Sequence, residues 1–408
     1  MNRTGKICVV LVLLMVAVVL VLLPGDEGVA SDRLSVVETE EGNRTVVSYV
    51  DIDGKVTFAS DKNYATVVKT FEDGQVVLEE CFDEKGRPAR QMLGHYALSR
   101  GYEDGLATEI TYLDQSLHPM TNINGYSSIH RTYDDKGRSQ TDTYYDLDGE
   151  QVQHKNGYYA YQRGRDEKGR IIEITYLGLD GKAVDQNAGY AKISRAYNDA
   201  GQEEYEFYFH ADGTPAKGSL GQYGMHLEYD EEGNIAVTTY LSADGKPMNI
   251  GPGYAVVKRT YQDGLKTVRY YDEDGNPAKA GKGQYGVEYV DGKPVYLDSS
   301  GNRIFRLDNY LETHPVAVMG IVVIMIVAGL WVRGKGRIVF LLFCLAVIIL
   351  MTLWYRESGD SRAAEPFQAY RQFFSSSYLR LEILNNIWLF IPLGVILYRL
   401  IPRPWAST

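Results

Sequence analysis

The stretch "GYAVVKRTYQDGLKTVRYYDEDGNPAKAG", residues 253–281, contains the whole pattern from which the fold can be predicted. Its first part, "YAVVKRTY", alternates apolar and polar side chains, as a half-buried β-strand does. The turn "QDG" follows, in which Asp can bond to its own backbone and Gly accepts a positive φ angle. "LKTVRYY" is the returning strand and "DEDG" is a second turn. The stretch therefore predicts a β-hairpin followed by a linking turn.

The same pattern recurs along most of the chain. Residues 189–218, "GYAKISRAYNDAGQEEYEFYFHADGTPAKG", repeat the order of aromatic anchor, strands and turns. An anchor tyrosine returns at intervals of 30 to 33 residues, at Tyr64, Tyr96, Tyr126, Tyr158, Tyr190, Tyr223, Tyr254 and Tyr285. So steady a period indicates a repeat array, in which hairpins that are marginal alone stabilise one another.

Residues 31–312 are accordingly predicted to form an all-β tandem repeat region, an elongated antiparallel β-hairpin array with a period of about 31–32 residues. Its tyrosine and glycine content is similar to that of YD and MORN-type repeats, whose period and pattern differ from those found here. The region contains one cysteine, Cys81, so it must be stable without an internal disulfide.

Most of the 32 tyrosines lie in this region. Aromatic residues favour strands, so the simpler interpretation is that they pack against one another across the sheet. The alternative is that some remain exposed as platforms for glycan rings or for a partner. The pairs Tyr144–Tyr145, Tyr158–Tyr159 and Tyr270–Tyr271 would point to opposite faces of a strand, so one member of each could face outward.

The sequence predicts no enzyme, no cofactor and no metal site. The "DxDG" stretches at residues 51–54, 146–149 and 272–275 resemble Ca²⁺ loops but lack the bidentate Glu of an EF-hand, so they are interpreted as turns. No paired metal-ligand spacing or catalytic motif includes the histidines, which are His95, His118, His130, His154, His210, His226 and His314. They are interpreted as surface or packing residues.

Four apolar runs flank the repeat region, at residues 7–23, 315–332, 338–355 and 384–402. Their lengths approach the roughly 17–25 residues that a helix needs to cross a bilayer. Basic residues beside them, such as those of "RGKGR" at 333–337, favour a cytoplasmic side for the adjoining segments. These runs predict α-helical transmembrane segments, and hence a multi-pass protein of the bacterial cell membrane with residues 31–312 extracellular.

Three domains follow from this interpretation. Residues 1–30 would be an N-terminal transmembrane anchor, or a signal peptide because "GVA" at 28–30 suits cleavage. Residues 31–312 would be the repeat region. Residues 313–408 would be a C-terminal membrane region with three transmembrane helices.

The C-terminal region resembles a known family. "NIWLFIPLG" at 386–394 is similar to the Asn-Phe-Pro-Gly signature of the VanZ-like family, and "EPFQAYRQFF" at 365–374 is similar to the Pro-Phe loop that precedes it. The residues that match the family motifs are Pro366, Phe367, Asn386, Phe390, Pro392 and Gly394. The resemblance implies an integral membrane protein of a bacterial envelope. The chain ends at Thr408, before the further spans that family members usually carry, so the resemblance implies a truncated copy, a diverged one, or half of an assembly.

The leading functional hypothesis is a VanZ-like protein of the cell envelope whose non-catalytic repeat region binds a cell-wall glycan or a surface protein. The resemblance also implies an alternative, a resistance or tolerance factor for teicoplanin-type glycopeptide antibiotics that acts through the membrane module. A second alternative is an envelope enzyme without a recognisable motif. The expected partners are membrane lipids, a cell-wall glycan, a lipid-linked wall precursor or a surface protein, and not nucleic acid.

Overall fold

A computed structural model describes residues 29–306 except 263, 282, 291 and 292, together with residues 320, 324–325, 327–334, 336–349, 392–394 and 396–397. A short 3-10 helix, Ser31–Arg33, precedes the strands. The strands are β1 Ser35–Glu41, β2 Arg44–Val50, β3 Thr66–Glu72, β4 Gln75–Phe82, β5 Ala97–Glu103, β6 Leu106–Leu113, β7 Ser128–Tyr133, β8 Ser139–Tyr145, β9 Ala160–Arg165, β10 Ile171–Leu177, β11 Lys192–Tyr197, β12 Glu203–Phe209, β13 Gly224–Tyr229, β14 Ile235–Leu241, β15 Val256–Tyr261, β16 Leu265–Tyr271, β17 Gly286–Val290 and β18 Lys293–Leu297. The helix α1 covers Gly336–Ile349.

The strands form one antiparallel sheet in sequence order. Each strand from β1 to β17 pairs with the next along the chain, and β18 belongs to the same sheet. Inside a hairpin the pairing is long, since β7 and β8 match at six residue pairs. Between hairpins it is short, since β8 and β9 match at only three. Side chains must therefore supply much of the attachment between hairpins.

The linking turn after each hairpin is closed by a side chain. After β4, Asp83 Oδ1 accepts hydrogen bonds from the N–H groups of Lys85 and Arg87, each at 2.9 Å. Gly86 has a φ of +74°, in the region that favours glycine. The carboxylate has the same place in the turns that begin at Asp51, Asp114, Asp146, Asp272 and Asp298. The "D…G" spacing of the sequence thus has a turn function.

A tyrosine hydroxyl ties each of several hairpins to the hairpin before it. Tyr133 lies beside a β-bulge at the end of β7, and its Oη donates to Ala107 O at 2.7 Å. The partners are 26 residues apart, and the same bond joins Tyr102 to Val76, Tyr197 to Ile171, Tyr229 to Glu203 and Tyr261 to Ile235. In β9 the equivalent residue is Arg165, whose Nη2 donates to Ser139 O at 3.3 Å.

A second set of tyrosines packs along one face of the sheet, here called the inner face. The ring centroids of Tyr126 and Tyr144 are 4.4 Å apart, and those of Tyr144 and Tyr158 are 5.8 Å apart. Tyr126 and Tyr144 are each 4% exposed. The series is called the tyrosine ladder and comprises Tyr112, Tyr126, Tyr144, Tyr158, Tyr176, Tyr190 and Tyr208. Tilted and edge-on ring pairs of this kind stabilise beyond the area they bury.

The backbone hydrogen bonds of the sheet show that some of the predicted anchor residues were assigned to the wrong positions. Gln91 N–H donates to His95 O just as Asn122 N–H donates to Tyr126 O, so His95 is the counterpart of Tyr126. The N–H groups of Gly218 and Ala280 make the same bond to the carbonyl oxygens of Gln222 and Gln284. These two glutamines are therefore also anchors. The equivalent positions are 64, 95, 126, 158, 190, 222, 254 and 284, in steps of 30 to 32. The predicted anchors Tyr96, Tyr223 and Tyr285 each lie one residue too late.

The predicted α-helical transmembrane segments are wrong for the described part of the chain, where no helix is both long enough and apolar enough to cross a membrane. The third run was expected to span residues 338–355, but α1 has 14 residues. The rest of that run, residues 350–355, lies outside the described residues. Residues 7–23 and most of 384–402 lie outside the described residues.

Two further predictions depended on those spans and are corrected with them. The mixed fold class, a β-array joined to transmembrane helices, is wrong as stated, because the described architecture is the antiparallel sheet with short helical segments. The multi-pass membrane localisation, with residues 31–312 extracellular, is wrong on the same finding. Hydropathy recognised apolar composition, but composition does not fix the length of a helix.

The chain forms two compact units. One comprises residues 28–288 with 299–301 and contains β1 to β16. The other comprises residues 1–27, 289–298 and 302–408, and contains β18 and α1. In the second unit the guanidinium carbon of Arg306 lies 5.1 Å from the ring centroid of Tyr296.

We expect Leu117→Gly to stabilise the protein. Leu117 occupies, at a φ of +63°, the turn position that glycine holds in the neighbouring linking turns, and a β-carbon there costs roughly 1–2 kcal/mol. Its side chain is 43% exposed, so little burial is lost. The free energy of unfolding, measured by circular dichroism in urea, should rise by about 1 kcal/mol. Gly149→Ala, at the matching position with open space around it, should lower it; equal values for Leu117→Gly and wild type would contradict the argument.

Removal of one tie between hairpins should also be measurable. Tyr133→Phe deletes the hydroxyl that bonds to Ala107 O, and the loss should lower the free energy of unfolding by about 1 kcal/mol. Tyr145→Phe is the matched control, because the Tyr145 hydroxyl bonds to no residue that the structure describes. If both variants unfold at the same urea concentration, the tie does not contribute to stability.

Candidate functional site

The inner face contains a buried cluster of charges. Asp142, on β8, is 2% exposed and receives hydrogen bonds from Arg131 on β7, at 2.7 and 2.9 Å, and from Arg163 on β9, at 2.8 Å. The guanidinium carbon of Arg163 also lies 4.4 Å from the ring centroid of Tyr161. One carboxylate thus holds two arginines from two successive hairpins.

The charges of this cluster are mutually stabilised. Burial opposes ionisation of Asp142, but hydrogen bonds and positive charge from Arg131 and Arg163 outweigh it and hold the pKa of the carboxyl below its usual value. A related cluster lies further along, where Arg195 bonds to Glu206 at 2.9 Å and Tyr208 Oη donates to Glu206 at 2.5 Å. Each carboxylate is fully engaged by neighbouring groups, so these clusters act as structural connections.

Sequence reasoning missed these clusters, although a signal was present. Arginine recurs near the middle of the first strand of five hairpins, at Arg100, Arg131, Arg163, Arg195 and Arg259. An arginine that recurs at this position, on the ladder side of the strand, indicates a buried partner, because an unpaired buried charge is costly. The partner could not be identified without the strand register.

The tyrosines of the ladder do not form exposed platforms. None of the tyrosines from Tyr49 to Tyr296 is more than partly exposed. In the predicted pairs, Tyr144 and Tyr158 are buried, whereas Tyr145 and Tyr159 are half-buried. Burial raises the pKa of Tyr158, Tyr161 and Tyr176 to about 12, so these phenols stay protonated at neutral pH. The packing interpretation describes the ladder.

The "DxDG" stretches form turns, and His95, His118 and His154 lie either beside the ladder or at the surface. In the turn at Asp146 the carboxylate accepts the N–H groups of Asp148 and Glu150 at 2.9 Å, as a turn requires. Among the described residues, no group of three or more His, Cys, Asp or Glu could hold a metal ion. His95 and His154 are buried beside the ladder, where desolvation lowers the pKa of each imidazole. His118 is exposed in a linking turn, and His314 lies outside the described residues.

The opposite side of the sheet, called the outer face, has a different composition. Register places Glu109, His130 and Thr143 in one row across three strands, and Thr141, Gln162 and Thr175 in the next row. His130 stacks on Tyr145 with ring centroids 4.0 Å apart. Further along, Tyr205 stacks on His226 at 4.5 Å. This part of the outer face therefore presents partly exposed carboxylate, hydroxyl, amide and ring groups in aligned rows.

The residues that carry the VanZ-like resemblance are only partly described. Pro366, Phe367, Asn386 and Phe390 lie outside the described residues. Pro392 and Gly394 belong to the helical residues 392–394, where Pro392 is fully buried and Gly394 is exposed. A β-carbon added at Gly394 would meet no atom within 4 Å. Four of the six motif residues are outside the described part of the chain, so the resemblance stays a prediction.

Comparison with known proteins gives no family. No family model matches the chain, and no curated protein matches it. One solved structure that matches is the crystal structure of TcdB2-TccC3-TEV, with 12% sequence identity and a TM-score of 0.16. The match covers 68% of this chain and 17% of that one. A likeness at this level supports no functional argument.

We expect Asp142→Asn to be strongly destabilising. Removal of one member of a buried ion cluster leaves the other charges uncompensated, so the free energy of unfolding should fall by about 3–5 kcal/mol at pH 7. Urea denaturation of the full chain measures this loss. The control Asp148→Asn, in an exposed turn, should have little effect; a similar loss in both variants would show that the cluster is not special.

The same variant should change the response to acid. Because the folded pKa of Asp142 is depressed, its contribution is present above the unfolded value, near 3.9, and is lost as the pH falls through the folded value. We expect the free energy of unfolding, measured in urea between about pH 6 and pH 2, to decrease less steeply with falling pH for Asp142→Asn than for wild type. Parallel curves would contradict the proposed ionisation of Asp142.

Proposed function

We propose that the repeat array is a non-catalytic binding module, and that its ligand is a glycan of the bacterial cell wall. The observation that carries the proposal is the contrast between the two faces of the sheet. The inner face uses its tyrosines and charges for internal contacts. The outer face repeats hydroxyl, amide and ring groups in aligned rows, for which the fold has less need.

The chemistry of the outer face suits a sugar polymer. Side chains such as Thr141, Gln162 and Thr175 offer hydrogen-bond donors and acceptors, which a sugar's hydroxyl groups can satisfy. The rings of Tyr145 and Tyr205 add apolar surface beside them. Successive hairpins repeat this surface about every 10 Å, two strand spacings, so a polymer could engage several units at once.

Two groups that could serve in catalysis, the Asp134 carboxyl and the Cys81 thiol, are each held in one protonation state near neutral pH. This favours binding over catalysis. The pKa of Asp134 is lowered to about 2 by hydrogen bonds from Arg138, and that of Cys81 is raised to about 12 by burial. A general acid or base works best with a pKa near the working pH, and a nucleophilic cysteine requires its thiolate. These groups are instead fixed in one protonation state.

The proposal is tested with the purified full-length chain and insoluble bacterial cell walls. We expect sedimentation with walls stripped of protein, and release by soluble wall fragments. The paired variant Thr141→Leu and Thr175→Leu, which adds bulk and removes two hydroxyl groups on the outer face, should weaken binding, because it obstructs the central row. The matched control is Lys85→Gln in a linking turn. No sedimentation with walls would overturn the proposal, and binding only to unstripped walls would indicate a protein ligand.

A further inference from the structure

One ten-residue motif occurs twice in the array, and the formation of turns does not account for all of its residues. It reads "PAKGSLGQYG" at 215–224 and "PAKAGKGQYG" at 277–286. Each copy begins in a linking turn and ends at the first residue of a strand, β13 or β17. Both copies have glutamine at the ladder position and tyrosine one residue later. The motif therefore marks two units that differ from their neighbours in the same way.

Packing explains the tyrosine and the alanine of the motif. Tyr208 N–H donates to Tyr223 O, and Tyr208 O accepts from Ala216 N–H, so Tyr223 and Ala216 flank Tyr208 on the same face. In the unit at Tyr112 the flanking pair is Ser127 and Met120. In these two units a large residue on one side is matched by a small one on the other.

Packing does not explain the lysine. Lys217 and Lys279 are exposed, and the equivalent residues in five other units are Phe58, Thr121, Gln153, Asp185 and Asn249. The unit of Gln153 also has a late tyrosine, Tyr159, so the lysine does not accompany every late tyrosine. Lys217 Nζ lies 5.7 Å from the ring centroid of Tyr223, and Lys279 Nζ lies 6.0 Å from that of Tyr285. Neither ammonium group is paired with a carboxylate of the described chain. Each copy thus combines an available positive charge with a partly exposed ring.

A third group in the motif lacks a partner. Gln284 is 8% exposed, and its Oε1 is buried without a hydrogen bond from any residue in the described ranges. It immediately precedes Tyr285. A buried acceptor of this kind gains from a donor supplied by a ligand. The second copy therefore brings together an acceptor, a ring and an ammonium group.

We propose that the two motif copies are subsites for a glycan that bears carboxylates. This inference rests on the proposed function and specifies its ligand. The sugar ring packs against the tyrosine, its carboxylate accepts hydrogen bonds from the lysine, and a hydroxyl of the ligand donates to Gln284 in the second copy. The copies are separated by four strands, about 19 Å, so one polymer chain bridges both and gains from the second contact.

A nearby unit supplies the contrast that defines the site. The sequence "PARQMLGHYA" at 88–97 has the same spacing, with Arg90 and Tyr96 in place of the lysine and tyrosine. Arg90 lies instead against Gly94, where an added β-carbon would be 3.3 Å from its Nη2. Its ladder residue is His95 rather than glutamine. This unit is therefore not a subsite, and Arg90→Gln serves as a single-charge control.

The test measures binding of the full-length chain to polygalacturonate, which has a carboxylate on each ring, and to soluble peptidoglycan fragments, whose carboxylates lie on attached groups. The neutral polymer dextran and the ringless polyanion polyglutamate are the comparison ligands. Lys217→Gln with Lys279→Gln should weaken binding about tenfold or more, because both charged contacts are lost. The control Lys182→Gln with Lys246→Gln removes two lysines that pair with Asp180 and Asp244, and should leave affinity unchanged. Urea unfolding checks that all variants are folded.

Selective binding to either carboxylated glycan, lost only in the first double variant, supports the inference, and the preferred ligand identifies where the carboxylate lies. An equal loss in both double variants would overturn it, since net charge alone would then govern binding. Equal affinity for dextran or for polyglutamate would also overturn it. Binding to cell walls without binding to either carboxylated glycan overturns this inference alone, whereas no binding to any glycan or wall overturns the proposed function as well.

Discussion

The attachment of each hairpin to the next is the constraint on which the rest of the structure depends. Backbone pairing is extensive inside a hairpin, as at β7 and β8, and is limited to three residue pairs between most hairpins, as at β8 and β9. A single hairpin is marginal in water, so the array exists only if neighbouring hairpins hold together. Tyrosine attaches neighbouring hairpins in two ways. The hydroxyl of Tyr133 and its equivalents forms hydrogen bonds between hairpins, and the rings of the ladder pack against one another. A residue with both a ring and a polar end suits both tasks.

The buried charges add selectivity to that attachment. Asp142 bonds to Arg131 within its own hairpin and to Arg163 in the next, so it spans three strands. Removing such charges from water is costly, and a buried ion cluster is therefore weak evidence of stability by itself. It does penalise a shift of β9 along β8, because a slip by one residue would turn Arg163 to the opposite face. We infer that the cluster fixes the register where few backbone bonds do so.

The hairpins could be predicted from sequence because their signals are local. Alternation in "YAVVKRTY" and the turn in "QDG" involve residues that are near neighbours in the chain. Some anchor positions were predicted one residue too late, because His95 and Gln222 replace tyrosine there. Only the backbone hydrogen bonds identify these two residues as anchors. The cluster at Asp142 joins residues 11 and 21 positions away, which requires the register. The membrane spans were predicted from apolar composition alone, and the described residues contain no helix that meets the requirements for crossing a membrane.

A repeat fold also separates residues that serve the fold from residues that do not. Every unit must fill the same space beside the ladder, which is why Tyr223 with Ala216 can replace Ser127 with Met120. Substitutions of this kind conserve volume and carry no information about a ligand. A side chain that recurs with such a substitution but takes no part in the packing is different. Lys217 and Lys279 meet that condition, because their ammonium groups lie at the surface beside a ring and satisfy no buried group of the described chain.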